Sequence, residues 1–282
     1  MSARPRSAHG NAIRKSGGSP SRGKLERFAG RRCPGPAFFN MLEIVEFPDH
    51  ESVSHAASDF LFDRIHARRD LLLCLATGAT PKLTYERLAQ LIRAHPDALE
   101  QFRNARVLKL DEWGGIPMSS PATCETFLQE TLIRPLAWPN YFAFESEPAD
   151  PSAECARVAK WLRENGPIDV CVLGLGLNGH LGFNEPAPFL QPHAHVAELS
   201  KKSLQHSMIA GLPKLPGFGL TLGMADLLQS REILLLVTGA SKREAFQRLL
   251  LEKISPDFPA SFLHLHPRVR VLCDAAACGG KG

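Results

Sequence analysis

Long apolar runs are missing from this chain of 282 residues. A membrane-spanning helix needs roughly 18 or more consecutive apolar residues, whereas the longest stretches, such as Leu71–Ala76 and Ile233–Val237, are strand-sized. No membrane span is expected, and residues 1–40 lack the apolar core of a secretory signal. Paired cysteines and metal spacings are missing too. The seven cysteines are odd in number, and no His/Cys/Asp set has the spacing of a metal site. Cys74, Cys171 and Cys273 lie inside apolar runs, where a thiol is a small hydrophobe. A reducing, cytoplasmic setting is expected, with no metal and no cofactor. No Gly-Lys-Ser/Thr follows a glycine loop, which excludes a Walker-type nucleotide site.

Acidic side chains are nearly missing from residues 1–40, where nine Lys and Arg face Glu26 alone. Of 33 basic and 29 acidic residues in all, that leaves 24 and 28 for the rest, so the remainder is mildly acidic. The sequence pI of 8.7 describes the extension and not the body. A basic Ser/Gly/Pro-rich segment without apolar periodicity cannot offset its ordering entropy, and disorder is expected over 1–40. Weak nucleic-acid binding, an organelle transit peptide and an upstream extension are three readings of it. The third is preferred, because the strand-like Leu42–Phe47 begins directly after Met41. No nucleic-acid partner is expected.

What the chain does have is a regular alternation over 41–282. Leu42–Phe47, Leu71–Ala76, Val107–Leu110, Ile168–Leu173, Glu232–Val237 and Val269–Cys273 read as strands. Helical stretches near 51–67, 82–94, 122–133, 151–164 and 241–252 lie between them. This order predicts a single α/β domain, a Rossmann-like parallel sheet flanked by helices. Such sheets bind ligands beyond the carboxyl ends of their strands, and four strand exits carry chemistry.

Gly174-Leu-Gly-Leu-Asn-Gly-His-Leu-Gly-Phe-Asn-Glu-Pro186 follows one strand, and its glycines leave little bulk between backbone and ligand. His180 can move a proton near neutral pH, and Glu185 can orient it. Thr77-Gly-Ala-Thr-Pro81 opens a helix, with Thr80 as its expected N-cap and Pro81 as its first residue. Its backbone N–H groups at Gly78, Ala79 and Thr80 suit a phosphate, although an ordinary capped helix reads the same way. Asp111, expected just past Val107–Leu110, is either a proton-abstracting carboxylate or a loop cap. Lys242, after Val237-Thr-Gly-Ala-Ser, opposes a helix dipole unless an anion meets it; otherwise it is an exposed lysine. Together the four exits predict proton transfer on a small phosphorylated metabolite.

These motifs, in this order, resemble the glucosamine-6-phosphate deaminase/isomerase family and its galactosamine-6-phosphate relatives. The likeness rests on Thr77–Pro81 with Thr84-Tyr85, Asp111-Glu-Trp113 with Gly115-Ile-Pro117, and Gly176–His180 with Phe183-Asn-Glu-Pro186. Gly219–Gly223, Gly239–Lys242, Leu265–Pro267 and Cys273-Asp274 extend it over roughly 42–274. The resemblance implies a metal-independent aldose–ketose isomerisation with loss of ammonia from C2. His180 would assist ring opening, Glu185 would orient it, and Asp111 would carry the proton between C2 and C1. Gly78, Ala79, Thr80 and Lys242 would hold the 6-phosphate of the sugar. A homo-oligomer fits the family equally well.

Two departures stand out. Asn178 occupies a position where the family usually has Asp, and is similar to the galactosamine-type members. Ile209 occupies the position of a phosphate-binding Arg, which leaves His206 or Lys202 as substitutes. Two other readings compete. A 6-phosphogluconolactonase-type hydrolase shares the Gly-His loop but would have Arg at position 113 and lack Phe-Asn-Glu-Pro. A non-catalytic sugar-phosphate sensor would keep the pocket without turnover.

Overall fold

Eleven strands and their connecting helices make up the computed structural model, which describes residues 31–32 and 42–279. In chain order the strands are β1 (Arg31–Arg32), β2 (Leu42–Phe47), β3 (Leu72–Leu75), β4 (Arg106–Lys109), β5 (Asp111–Gly114) and β6 (Tyr141–Phe142). They continue as β7 (Val170–Gly174), β8 (His195–Ala197), β9 (Phe218–Thr221), β10 (Glu232–Val237) and β11 (Val269–Asp274). Seven form a parallel sheet in the order β2-β11-β10-β7-β3-β4-β6, and β1 pairs antiparallel with β2. This is the expected Rossmann-like architecture. Apart from Arg31 and Arg32, the basic extension lies outside the described residues. No helix among the described residues is long and apolar enough to cross a membrane.

The central strands read as unbroken apolar runs because both of their faces are covered. Successive side chains point to opposite faces, which divides Leu-Leu-Cys-Leu of β3 between two cores. Leu72 and Cys74 join Cys171, Leu173, Ile233 and Leu235 on one face. Leu73 and Leu75 join Val170, Val172, Leu234 and Leu236 on the other. The first core packs under the helix Pro151–Asn165 through Cys155 and Val158. The second packs under His50–Ala67 and Ala79–Ala94, through Leu61 and Leu88 among others. Asp49 and Asp150 cap two of these helices by accepting from Ser52 N–H, and from Ser152 and Ala153 N–H, respectively.

β3 and β7 are neighbours, yet the chain leaves β3 toward β4 on one side and β7 toward β10 on the other. Diverging connections open a crevice at the carboxyl ends of such a pair. The glycine loops after β3, β7 and β10 all empty there.

A second, three-stranded antiparallel sheet, β5-β9-β8, stands over this crevice and was not expected. Asp111 therefore does not lie in a loop past β4. It opens β5 and pairs with Thr221 of β9. A small third core of Trp113, Ile116, Cys124, Phe183 and Ile209 packs beside this sheet.

Candidate active site

Gly78, with φ of 110°, is the N-cap of the helix that starts at Ala79. Thr80 is thus not the cap and Pro81 is not the first helical residue, as the sequence suggested. A side-chain cap is replaced by a glycine in a backbone conformation that other residues rarely adopt. The first-turn N–H groups of a helix have no intrahelical acceptors and suit an anion. Gly78, Ala79 and Thr80 line a cavity of roughly 380 Å³, and Lys242 lines it from the exit of β10. Lys242 ends a 3-10 turn, Ala240–Lys242, that precedes the helix Arg243–Leu249. The turn follows Gly239, and Thr238 Oγ1 donates to Thr80 Oγ1 at 3.3 Å. Burial is the cause that holds the Lys242 ammonium below the ordinary lysine value. A desolvated cation without a compensating carboxylate attracts an anionic ligand.

His180 enters the same cavity from the loop after β7. Its ring lies directly over Gly176, where an added Cβ would come within 2.4 Å of ring carbons. The loop is closed by Gly179 N–H donating to Gly176 O at 3.0 Å, and Gly179 itself has φ of 86°. Behind the ring, His180 Nδ1 lies 3.4 Å from Glu185 Oε2, an ion-pair distance longer than an aligned hydrogen bond. Asn178 completes the arrangement. Its amide donates to Glu185 Oε2 at 2.8 Å and its oxygen accepts His180 N–H at 3.3 Å. An aspartate there would face Glu185 with a like charge, so the amide is compatible with an ionised Glu185. Burial pushes Glu185 up, but the neighbouring His180, then the hydrogen bonds from Ser203 and Asn178, hold it down at about 2. Glu185 and Asn178 contact His180 and do not line the cavity themselves. Asn184 donates to Leu181 O and Leu222 O at 2.8 and 2.9 Å, a structural role.

Asp111 faces the same cavity from β5. It is 8% exposed, and its Oδ1 is buried without a hydrogen-bond partner. Burial, then the neighbouring Glu112, raises its carboxyl to about 7, against Lys109 and the Cys124 thiol. A carboxyl whose affinity for protons is matched to neutral pH is suited to abstract and return one. The structure thus brings Asp111, His180, Gly78, Ala79, Thr80 and Lys242 to one cavity, with Glu185 and Asn178 behind the imidazole.

Sequence reasoning missed Ser203 and Cys124 and left His206 as a substitute without a stated geometry. Ser203 Oγ donates a short hydrogen bond to Glu185 Oε1. Ser203→Ala is expected to lower kcat by about fivefold, the loss of roughly 1 kcal/mol from one charge-assisted bond, with KM nearly unchanged. Steady-state kinetics at neutral pH checks this. Cys124 accepts from Thr77 Oγ1 at 3.0 Å and lines the cavity beside Asp111. His206 also lines it, with burial, then Lys242 and His180, lowering its pKa and keeping the ring neutral. Met208 N–H donates to its Nδ1 at 3.2 Å, which leaves the proton of the neutral ring on Nε2. A methyl on Gly78 would stand 3.6 Å from that Nε2, so this donor is close to the helix N-terminus. Lys202 lines the cavity as well.

The sequence profile of the glucosamine-6-phosphate isomerase/6-phosphogluconolactonase family matches residues 48–272. The chain belongs to this family. An Escherichia coli (strain K12) protein named Putative deaminase AgaI is 41% identical, over 81% of this chain and 90% of that protein. Glucosamine-6-phosphate deaminase 1 of Bacillus subtilis (strain 168) is 35% identical, over 84% of this chain and 98% of that protein. Among solved structures, a monomeric glucosamine-6-phosphate deaminase superposes with a TM-score of 0.78 at 33% identity, over 84% of this chain and 99% of that one. The 6-phosphogluconolactonase of Trypanosoma brucei, at 23% identity and a TM-score of 0.66 over 88% of this chain and 99% of that one, shares the fold.

Proposed function

We propose that this enzyme isomerises and deaminates a hexosamine 6-phosphate, releasing ammonia and a ketohexose 6-phosphate. The observation that carries the reading is the buried Asp111 carboxyl, its Oδ1 without a hydrogen-bond partner among the described residues and its pKa raised to about 7, in one cavity with His180 and Lys242. The names of the relatives support the same class of substrate.

The 6-phosphate would sit on the helix start at Gly78–Thr80 and pair with Lys242. That places the sugar carbons toward Asp111 and His180. The imidazole, held by Glu185, transfers the proton that opens the ring and frees the C1 aldehyde. Ionised Asp111 then takes the proton from C2, its electron pair forms the C1=C2 bond, and the oxyanion at O1 takes a proton from the substrate's own ammonium group to give a neutral enolamine. Returning that proton to C1 leaves a C2 iminium. Water adds at C2, ammonia departs, and the C2 carbonyl of the ketose remains. Each proton moves between groups that line or back one cavity.

Purified protein should release ammonia from galactosamine 6-phosphate or glucosamine 6-phosphate, with the galactosamine epimer preferred in accord with Asn178. Rapid cleavage of 6-phosphogluconolactone without ammonia from either amino sugar would overturn the proposal. So would tight binding of both with no turnover. Lys242→Ala is expected to raise KM about tenfold, the loss of roughly 1.5 kcal/mol of charge-assisted contact, while kcat changes little. An unaltered KM would remove Lys242 from the anion site.

A further inference from the structure

Immediately behind Asp111 lies a largely buried ionic network. Lys109 and Glu112 have side chains 0% exposed, and Lys109 Nζ reaches Glu112 Oε2 at 2.7 Å and Glu125 Oε2 at 2.9 Å. Glu112 Oε1 accepts the N–H of Trp113 at 2.7 Å and of Cys124 at 2.9 Å. Its Oε2 also accepts Glu125 N–H at 2.8 Å. Glu125 in turn accepts from Gln129 Nε2 at 2.9 Å and from Tyr141 Oη at 2.8 Å. The network joins the end of β4, β6, the second residue of β5 and the start of the helix Cys124–Leu128.

Stability alone does not account for it. Burying charges costs several kcal/mol per ion, and well-packed apolar side chains of equal volume often serve as well or better. Position and charge suggest another use. Lys109 and Glu112 bracket Leu110 and Asp111, and adjacent strand residues point to opposite faces. Asp111 thus looks into the cavity while Glu112 anchors the strand from behind. The helix start that Glu112 holds carries Cys124, whose thiol reaches Asp111. With one lysine against two carboxylates, the network carries a net negative charge beside a group that must gain and lose a proton.

We propose that Glu112 is a positioning residue for Asp111, fixing its carboxyl at the cavity wall and biasing it by charge toward holding a proton. After burial, Glu112 comes first among the causes that lift Asp111 to about 7, and Lys109 opposes it. Other titratable groups also face Asp111. Cys74 and Tyr85, from β3 and the helix Ala79–Ala94, are pushed well up by burial and stay neutral. His180, His206 and Lys242 line the same cavity and are unchanged in Glu112→Gln and Lys109→Gln.

The inference rests on Asp111 being the proton carrier of the proposed reaction, but its test needs no substrate. Difference infrared spectroscopy follows the carboxyl band of Asp111 through a pH titration of the whole chain, with Asp111→Asn as the blank. The wild-type midpoint should lie near neutrality. Glu112→Gln should lower the midpoint by about one pH unit, and Lys109→Gln should raise it by a similar amount. A purely structural network would move both midpoints the same way or neither, and either result overturns the proposal. Where one variant does not fold, the sign of the shift in the other decides. A wild-type midpoint at the ordinary carboxylate value overturns it without any variant. The acid limb of kcat/KM should follow these shifts, and absence of turnover with the expected midpoints would count against the reaction, not against Glu112.

Discussion

Asp111→Asn is expected to abolish exchange of the C2 proton with solvent and to lower kcat by about a thousandfold or more. Affinity for the sugar phosphate should stay within about threefold, because the phosphate is held elsewhere. The same variant should be more stable than the wild type at alkaline pH. The carboxyl is raised from an unfolded value of 3.8 to about 7 when folded. A raised acid contributes fully below about pH 4 and its contribution is lost as pH climbs through about 7, because the folded chain must ionise a buried group. Asn is isosteric and never ionises. At about pH 8 the variant should therefore gain on the order of 4 kcal/mol, a gain that disappears near pH 4. Urea unfolding at the two pH values, with isotope exchange at C2, measures both sides. Retained exchange would remove Asp111 from the mechanism, and a gain independent of pH would deny its raised pKa.

The strands most plainly legible in the sequence are those whose burial is complete. Val170–Gly174 and Glu232–Val237 lie mid-sheet, covered on both faces, and their apolar runs need no partner to be recognised. β5 is the opposite case. Asp-Glu-Trp-Gly has two acids and a glycine in four residues, and neither alternation nor β-propensity marks it as a strand. It becomes one because Phe218–Thr221 pairs with it and the crevice buries it, a tertiary decision that local pattern does not contain. The expected helix near 122–133 is present but not uniform. It begins as Cys124–Leu128, loosens into a π turn over Gln129–Ile133 and ends at Leu136.

The site divides in the same way. Gly176, Gly179 and His180 are close in sequence, and the glycines are needed where the backbone turns or a ring lies against it, so their loop was visible before folding. The proposed phosphate end is legible as a glycine before a helix, though the cap itself is Gly78 and not Thr80. Ser203 was not visible. It reaches Glu185 from 18 residues away, out of a segment of short 3-10 turns with no periodicity to place it. Local pattern does not mark Lys109 and Glu112 as a buried pair, and only the fold reveals it.

Replacing His180 by Gln should lower kcat by roughly a hundredfold to a thousandfold, through the ring-opening step and not through binding. Glutamine can donate or accept a hydrogen bond but cannot carry a proton between ring oxygen and solvent near pH 7. Two companion results separate this from simple damage. Isotope exchange at the carbon of an open-chain substrate analogue, which bypasses ring opening, should survive, because Asp111 is untouched. Gly176→Ala should reproduce most of the loss with the imidazole still present, since its Cβ would stand 2.4 Å from the ring and force it off Glu185. If Gly176→Ala kept full activity, the position of the ring over the glycine would not matter to catalysis. If His180→Gln lost exchange with the open-chain analogue as well, His180 would share the carbon proton transfer with Asp111. The imidazole is backed by a carboxylate held at about 2, so Glu185 stays ionised across the working range. The acid limb of wild-type kcat/KM should then report Asp111 near 7 and not Glu185, a separation that a rate profile between about pH 5 and pH 9 resolves.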